Sequence, residues 1–317
     1  MITEDTVFIL GAGASVPYGY PTGLQLRKQI IENLDINLKK TDIDLPNALL
    51  RQLLLQERTE ESKELKDNLL ESRRSSIDLF LENRPGFCNI GKLAIACGII
   101  EFEQSNKGPW DWFEHLHDSE LANNRRSLQS YCTESNVNFI TFNYDRHLEH
   151  SLISSLTSTY GANEEECAEL IKENFEIVHV HGKLDDLPWE SDNGRSYGYK
   201  PSSLDELKES ASGIKIIHEN VEERYFGKAR ELIEDAKLIV FLGLNLHNQI
   251  NLDRLNIKNN IEGKRIYATL KGLTGPQREA ASEYFNHTII NKNIGKRKPE
   301  VYDYGSYDLI REEVRFR

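Results

Sequence analysis

Cysteine is sparse in this chain: 317 residues hold four, Cys88, Cys97, Cys132 and Cys167. No two of them form a C-x-x-C pair, so the spacing offers neither a zinc ribbon nor a redox motif. They read as reduced thiols, mostly in the core, of a cytoplasmic protein. His147 and His150 lack a carboxylate or thiol partner at ligand spacing, and no metal is expected. Long apolar runs are missing too, and nothing approaches the roughly eighteen consecutive apolar residues of a membrane span. The N-terminus carries acids and lacks a basic n-region, so it does not read as a signal peptide. Basic charge is in deficit, with 39 Lys and Arg against 51 Asp and Glu and a formal net charge of −12. That balance argues against general binding to nucleic acid or anionic membrane, and solubility explains the acidity.

The chain is organised around its opening stretch, Val7-Phe8-Ile9-Leu10-Gly11-Ala12-Gly13-Ala14-Ser15. Four apolar residues before a glycine turn predict a buried, parallel strand. Leu24, Leu26, Ile30, Ile31 and Leu34 then predict a helix with Thr22 as N-cap. Strand, glycine turn and helix together suit a phosphate. The dinucleotide fingerprint is incomplete, because Val16 stands where the third glycine belongs and Glu32, the candidate acid, falls inside the predicted helix. An ordinary nicotinamide dehydrogenase is therefore disfavoured.

Asp35 to Pro46 reads as a polar connection, and residues 48–132 read as helical almost throughout. Leu49 to Leu55, then Leu65, Leu69 and Leu70, mark amphipathic segments. Ser75 or Ser76 is placed to cap a third, Leu93 to Ile100 forms an apolar helix core, and Trp110 to Phe113 opens an aromatic-rich helix. Strands return at Val137–Thr141, Phe175–Val180, Lys237–Leu242, Arg265–Leu270 and His287–Ile290, with a helix over Thr274–Phe285. The long polar stretch from Lys183 to Ser203 is a candidate functional loop. The alternation predicts an α/β fold: a doubly wound, Rossmann-like parallel sheet formed by residues 1–34 and 135–317, with residues 35–134 as an all-helical insertion. Ligands of such sheets bind at the carboxyl ends of the strands. Gly11, Gly13, Ser15, Asn143, Asp145, His181 and Gly243 all fall there.

These residues resemble a family. Gly11-Ala12-Gly13-Ala14-Ser15 with Gly19-Tyr20-Pro21 is similar to the sirtuin G-A-G-x-S…G-x-P loop. Thr141-Phe142-Asn143-Tyr144-Asp145 resembles the sirtuin T-Q-N-x-D motif, and Val178-His179-Val180-His181-Gly182 resembles the strand ending in the catalytic His-Gly. Leu242-Gly243-Leu244-Asn245 stands where sirtuins carry a cofactor loop. The zinc cysteines of sirtuin deacylases are missing, as are the Asp, Phe and Arg that follow their Gly-x-Pro. Those departures resemble the sirtuin-like NAD-hydrolysing effectors of bacterial antiphage defence, as in the Thoeris system, and Ser76 to Pro85 and Trp110 to Phe113 are similar to helical segments of that branch.

The resemblance implies NAD⁺ glycohydrolysis, with NAD⁺ as substrate and no metal. Asn143 and His181 are the expected catalytic residues, assisted by Asp145. Gly11, Ala12, Gly13, Ser15, Pro21, Thr22, Asn143, Asp145, Gly243 and Asn245 are the expected NAD⁺ contacts. His181 precedes Gly182 at the strand tip and takes the catalytic role; His179 is read as structural, and His247 stays open between loop structure and cofactor contact. Asp145 also fits a simple helix cap. The chain ends soon after its last expected strand, so control is expected in trans, from a regulatory partner protein or from homo- or hetero-oligomer assembly. A deacylase or ADP-ribosyltransferase, and a non-catalytic nucleotide-binding subunit, are the alternatives.

Overall fold

Apolar runs build the centre. Thr6–Leu10 (β1) and Leu238–Leu242 (β4) are buried along their whole length, as strands covered on both faces must be. Val137–Thr141 (β2), Ile177–His179 (β3), Arg265–Thr269 (β5) and Glu300–Tyr302 (β6) complete the sheet. Every pairing is parallel, and the order is β3-β2-β1-β4-β5-β6. This is the doubly wound, Rossmann-like arrangement, and its winding reverses between β1 and β4. The computed structural model describes residues 2–34, 54, 58–104, 110–216, 222–246, 249–261, 263–290 and 300–316.

Alternation divides the core into two. Phe8, Leu10, Phe139 and Val240 face one side, with Leu26, Ile30, Leu65, Phe80 and Ile95 packed over them. Val7, Ile9, Ile140, Val178 and Phe241 face the other, under Phe226, Ile233 and Leu252. Phe8 and Phe139 stack across the first face at 5.6 Å. Between the helix Gly23–Asn33 and β2, the described elements are all helical and share the first core. Pro85–Glu103 is long and apolar enough to cross a membrane by length and composition, yet most of it is buried within the fold. Its apolar residues from Ile90 to Ile100 are core.

Thr22 caps its helix as expected, in a box with Gln25, and Ser76 accepts from Leu79 N–H at the start of Ile77–Asn83. The expected strand at His287–Ile290 is not one: those residues continue the helix Gly275–Ile290. β-branched residues there favour a strand only locally, and extension of a helix already nucleated prevails. The sixth strand is Glu300–Tyr302, three residues too short to show a period. The strand expected over Phe175–Val180 is trimmed to Ile177–His179, because Phe175 caps the preceding helix Glu164–Asn174. The expected polar connection at 35–46 and, Leu54 apart, the amphipathic stretch at 49–55 lie outside the described residues.

Candidate active site

The register brings four strand tips level. Leu10 lies opposite Thr141 and Leu242, and Thr141 lies opposite His179. The residues that follow these tips therefore meet where the winding reverses.

The glycine turn is packed backbone against backbone. A Cβ on Gly13 would stand 2.7 Å from the Gly243 Cα, and one on Gly243 would stand 2.1 Å from the Ala14 nitrogen. Gly243 also has φ +61°, a conformation glycine alone adopts cheaply. Gly11 N–H donates to Leu242 O and Gly13 N–H to Gly243 O, both at 2.9 Å. Gly243 N–H donates to Thr269 Oγ1 at 2.8 Å. Among the described residues, Ala12 N–H is the amide of Gly11–Gly13 with no acceptor.

Asn143 is fixed from several sides. Its N–H donates to Thr141 Oγ1 at 3.0 Å, and its carbonyl faces His179 Nδ1 at 2.9 Å. Its Nδ2 donates to Gly11 O at 3.1 Å and to Ser15 Oγ at 3.0 Å. A backbone carbonyl can only accept, so these bonds set the amide's orientation and leave Oδ1 as its remaining acceptor.

Ser15 passes its own proton to Asp145 Oδ2 at 2.9 Å, while Asp145 Oδ1 accepts from His147 N–H at 3.1 Å. Ser15 is buried and committed to two partners, so it bridges Asn143 and Asp145. Asp145 both ends this chain and serves the first turn of the helix His147–Tyr160. Burial pushes its carboxyl up to about 6, against the lowering effect of the Ser15 and His147 hydrogen bonds. A cavity of about 10 Å³ among Ser15, Asn143, Asp145, Glu149 and His179 has room for no more than a water-sized group.

His181 is not part of that cavity. In a regular strand, residues two apart share a face, but β3 ends at His179 and Gly182 turns with φ +63°. The two histidines therefore serve opposite sides. The His181 ring lies 5.5 Å from that of Phe142 and 5.8 Å from that of Phe226. Burial, with the Arg254 charge adding to it, brings its pKa down to about 4, so it is a neutral imidazole at pH 7. Phe142, next to Asn143, is the residue that joins the two sides.

Of the other expected contacts, Pro21 and Thr22 are half-buried at the next helix start and Asn245 is exposed. His247 lies outside the described residues. His147 packs on the Tyr18 ring at 3.9 Å and His150 stacks on Tyr197 at 3.8 Å. No group of three or more His, Cys, Asp or Glu gathers as a metal site among the described residues. An open groove of about 1640 Å³ follows the β3 edge past Ile177, His179, Lys183 and Arg195, and neither Asn143 nor the glycine turn lines it.

Two features escape a reading by motif. Glu149 sits on the apolar face of its helix with Leu148, Leu152 and Ile153, only 1% exposed. A lone acid on such a stripe is a readable signal of a buried partner. The partner is His179, whose Nε2 lies 2.6 Å from Glu149 Oε1. Arg146, fully buried, is bidentate to Glu103 at 3.0 and 2.9 Å. Arg195 joins the same carboxylate at 2.8 and 3.1 Å and Asp185 at 2.7 Å. Two guanidiniums and two carboxylates thus tie the helical region, the motif and the long loop together, and no sequence spacing announces them.

No protein-family model and no curated protein matches this sequence. Among solved structures, the chain is similar to that of Sir2Tm bound to a propionylated peptide. The identity is 13%, over 92% of this chain and 94% of that one, with a TM-score of 0.32. The fold assignment rests on the strand order and pairing of this chain itself.

Proposed function

We propose that this chain hydrolyses NAD⁺ at the nicotinamide N-glycosidic bond, releasing nicotinamide and ADP-ribose or its cyclic form. The observation that carries the reading is the locked amide of Asn143, whose Nδ2 is given to Gly11 and Ser15. Oδ1 is then the atom left to accept from a ribose hydroxyl or the attacking water. In this reading the diphosphate is held at the glycine turn from Gly11 to Gly13 and the riboside is contacted by Asn143 and His181.

The bond from C1′ to the ring nitrogen breaks, and its electron pair returns to the pyridinium ring, so nicotinamide leaves neutral without a strong acid. Water oxygen bonds to C1′ and its proton passes to the neutral His181 imidazole. Asp145, ionised at pH 7, balances the positive charge that develops on the ribose and orients Asn143 through Ser15. A cytoplasmic enzyme of this kind is toxic to its host, which fits an antiphage effector held silent until a partner or self-assembly activates it.

Product analysis tests the reading. Purified chain, alone and with candidate partners, is incubated with NAD⁺ and with NAD⁺ plus an acylated peptide. Stoichiometric nicotinamide and ADP-ribose without peptide is the expected result. Turnover that requires the peptide would indicate deacylation, and binding without turnover under every condition would indicate a non-catalytic subunit.

A further inference from the structure

The amide of Asn143 is useful only if its backbone is held, and the group holding its carbonyl is unusual. His179 Nδ1 lies 2.9 Å from Asn143 O, and Nε2 lies 2.6 Å from Glu149 Oε1. Both ring nitrogens face acceptors, and because a backbone carbonyl can only accept, Nδ1 is the nitrogen that donates to Asn143 O. Lys183 Nζ stands 3.4 Å from the same Glu149 oxygen, and Lys183 is also paired with Glu190 and, at 3.5 Å, with Asp186. Burial by itself would raise Glu149, but the His179 and Lys183 charges outweigh it and hold the carboxyl below its usual range. The charges facing His179 are therefore Glu149 and Lys183 on one side and Asp145 across the small cavity.

We propose that His179, braced by Glu149, is a positioning residue for Asn143: its Nδ1–H fixes the Asn143 carbonyl and so aims the Asn143 side chain at the substrate. This rests on the NAD⁺-hydrolase reading above and deepens it. Of the bonds that hold Asn143, this is the one made by a ring whose other nitrogen meets a buried carboxylate, Glu149, which also pairs with Lys183. The others join Asn143 to Thr141, two residues away, to the Gly11 carbonyl and to Ser15, which is itself bonded to Asp145.

Two amide substitutions separate positioning from simple support, because each reproduces one ring nitrogen. His179→Asn keeps a donor near the Nδ1 position and gives up Glu149. His179→Gln keeps a donor near the Nε2 position and gives up Asn143. Positioning predicts that His179→Asn retains kcat within about threefold of wild type, while His179→Gln loses about 30-fold in kcat with little change in KM. A structural role predicts equal losses, or the larger loss in His179→Asn, and either result overturns the proposal. Amide exchange of the segment 141–147 in the free protein reads the same effect without turnover. Exchange is expected to quicken by about tenfold in His179→Gln and to stay near wild type in His179→Asn. Unchanged exchange in His179→Gln would overturn the positioning role, whereas the expected exchange pattern in a chain that leaves NAD⁺ intact would sink only the hydrolase reading.

Discussion

The two sides of the sheet's carboxyl edge are built from different interactions. On the side of the helical region, Asn143, Ser15, Asp145, His179 and Glu149 are joined by short hydrogen bonds, and Arg146 and Arg195 bind Glu103 nearby. On the other side His181 sits against Phe142 and Phe226. The first side orients groups by many directional bonds. The second sets the charge state of one imidazole by desolvation, which is non-directional. Asn143 follows β2 and His181 follows β3, so the directional bonds and the desolvated imidazole belong to two neighbouring strand tips.

Gly243 joins both sides, and its loss is the largest break. Gly243→Ala puts a Cβ 2.1 Å from the Ala14 nitrogen at φ +61°. We expect a cost on the order of 4 kcal/mol, seen as a lower denaturation midpoint together with lost nucleotide binding. Glu103→Ala breaks the polar side alone, leaving Asp185 as the carboxylate that Arg146 and Arg195 still share, and is expected to cost about 3 kcal/mol in chemical denaturation. Phe226→Ala breaks the aromatic side. It should cost about 3 kcal/mol and, by admitting water, raise the His181 pKa from about 4 toward its ordinary value in an NMR titration. An unmoved His181 would show that desolvation by Phe226 is not what keeps it neutral.

The pH dependence distinguishes the sides more gently. Asp145 must be ionised to accept from both Ser15 and His147, so activity is expected to fall as pH drops through about 6. His181 stays neutral until about 4 and does not set that limb. For stability the sign is opposite. Between the ordinary Asp145 value of 3.8 and about 6 the folded state binds more protons than the unfolded one, so Asp145 favours folding as pH falls through that window. A pH–rate profile of wild type beside Asp145→Asn checks the first statement, with the limb near 6 expected to vanish in the variant.

The central strands, the glycine turn, the Thr22 cap and the order of motifs were legible because each is local: a period, a breaker or a cap. Strand-tip placement then followed from parallel winding, which brought Gly11, Asn143 and Gly243 together. His179 illustrates what was not legible. Its placement depends on where β3 starts and stops, after the Phe175 cap and before the Gly182 turn, and on Glu149, thirty residues away on another element. Ser15 likewise belongs by motif to a phosphate loop, yet its hydroxyl is engaged by Asp145 at a separation of 130 residues. Long-range polar pairing leaves no period in the sequence.

The most direct test of the account is the initial rate of nicotinamide release from NAD⁺ by wild type, Asn143→Ala and His181→Ala under the conditions that activate the wild type. The account predicts losses of about 10²-fold or more in each variant, with folding midpoints close to wild type. Rates equal to wild type in both would contradict it.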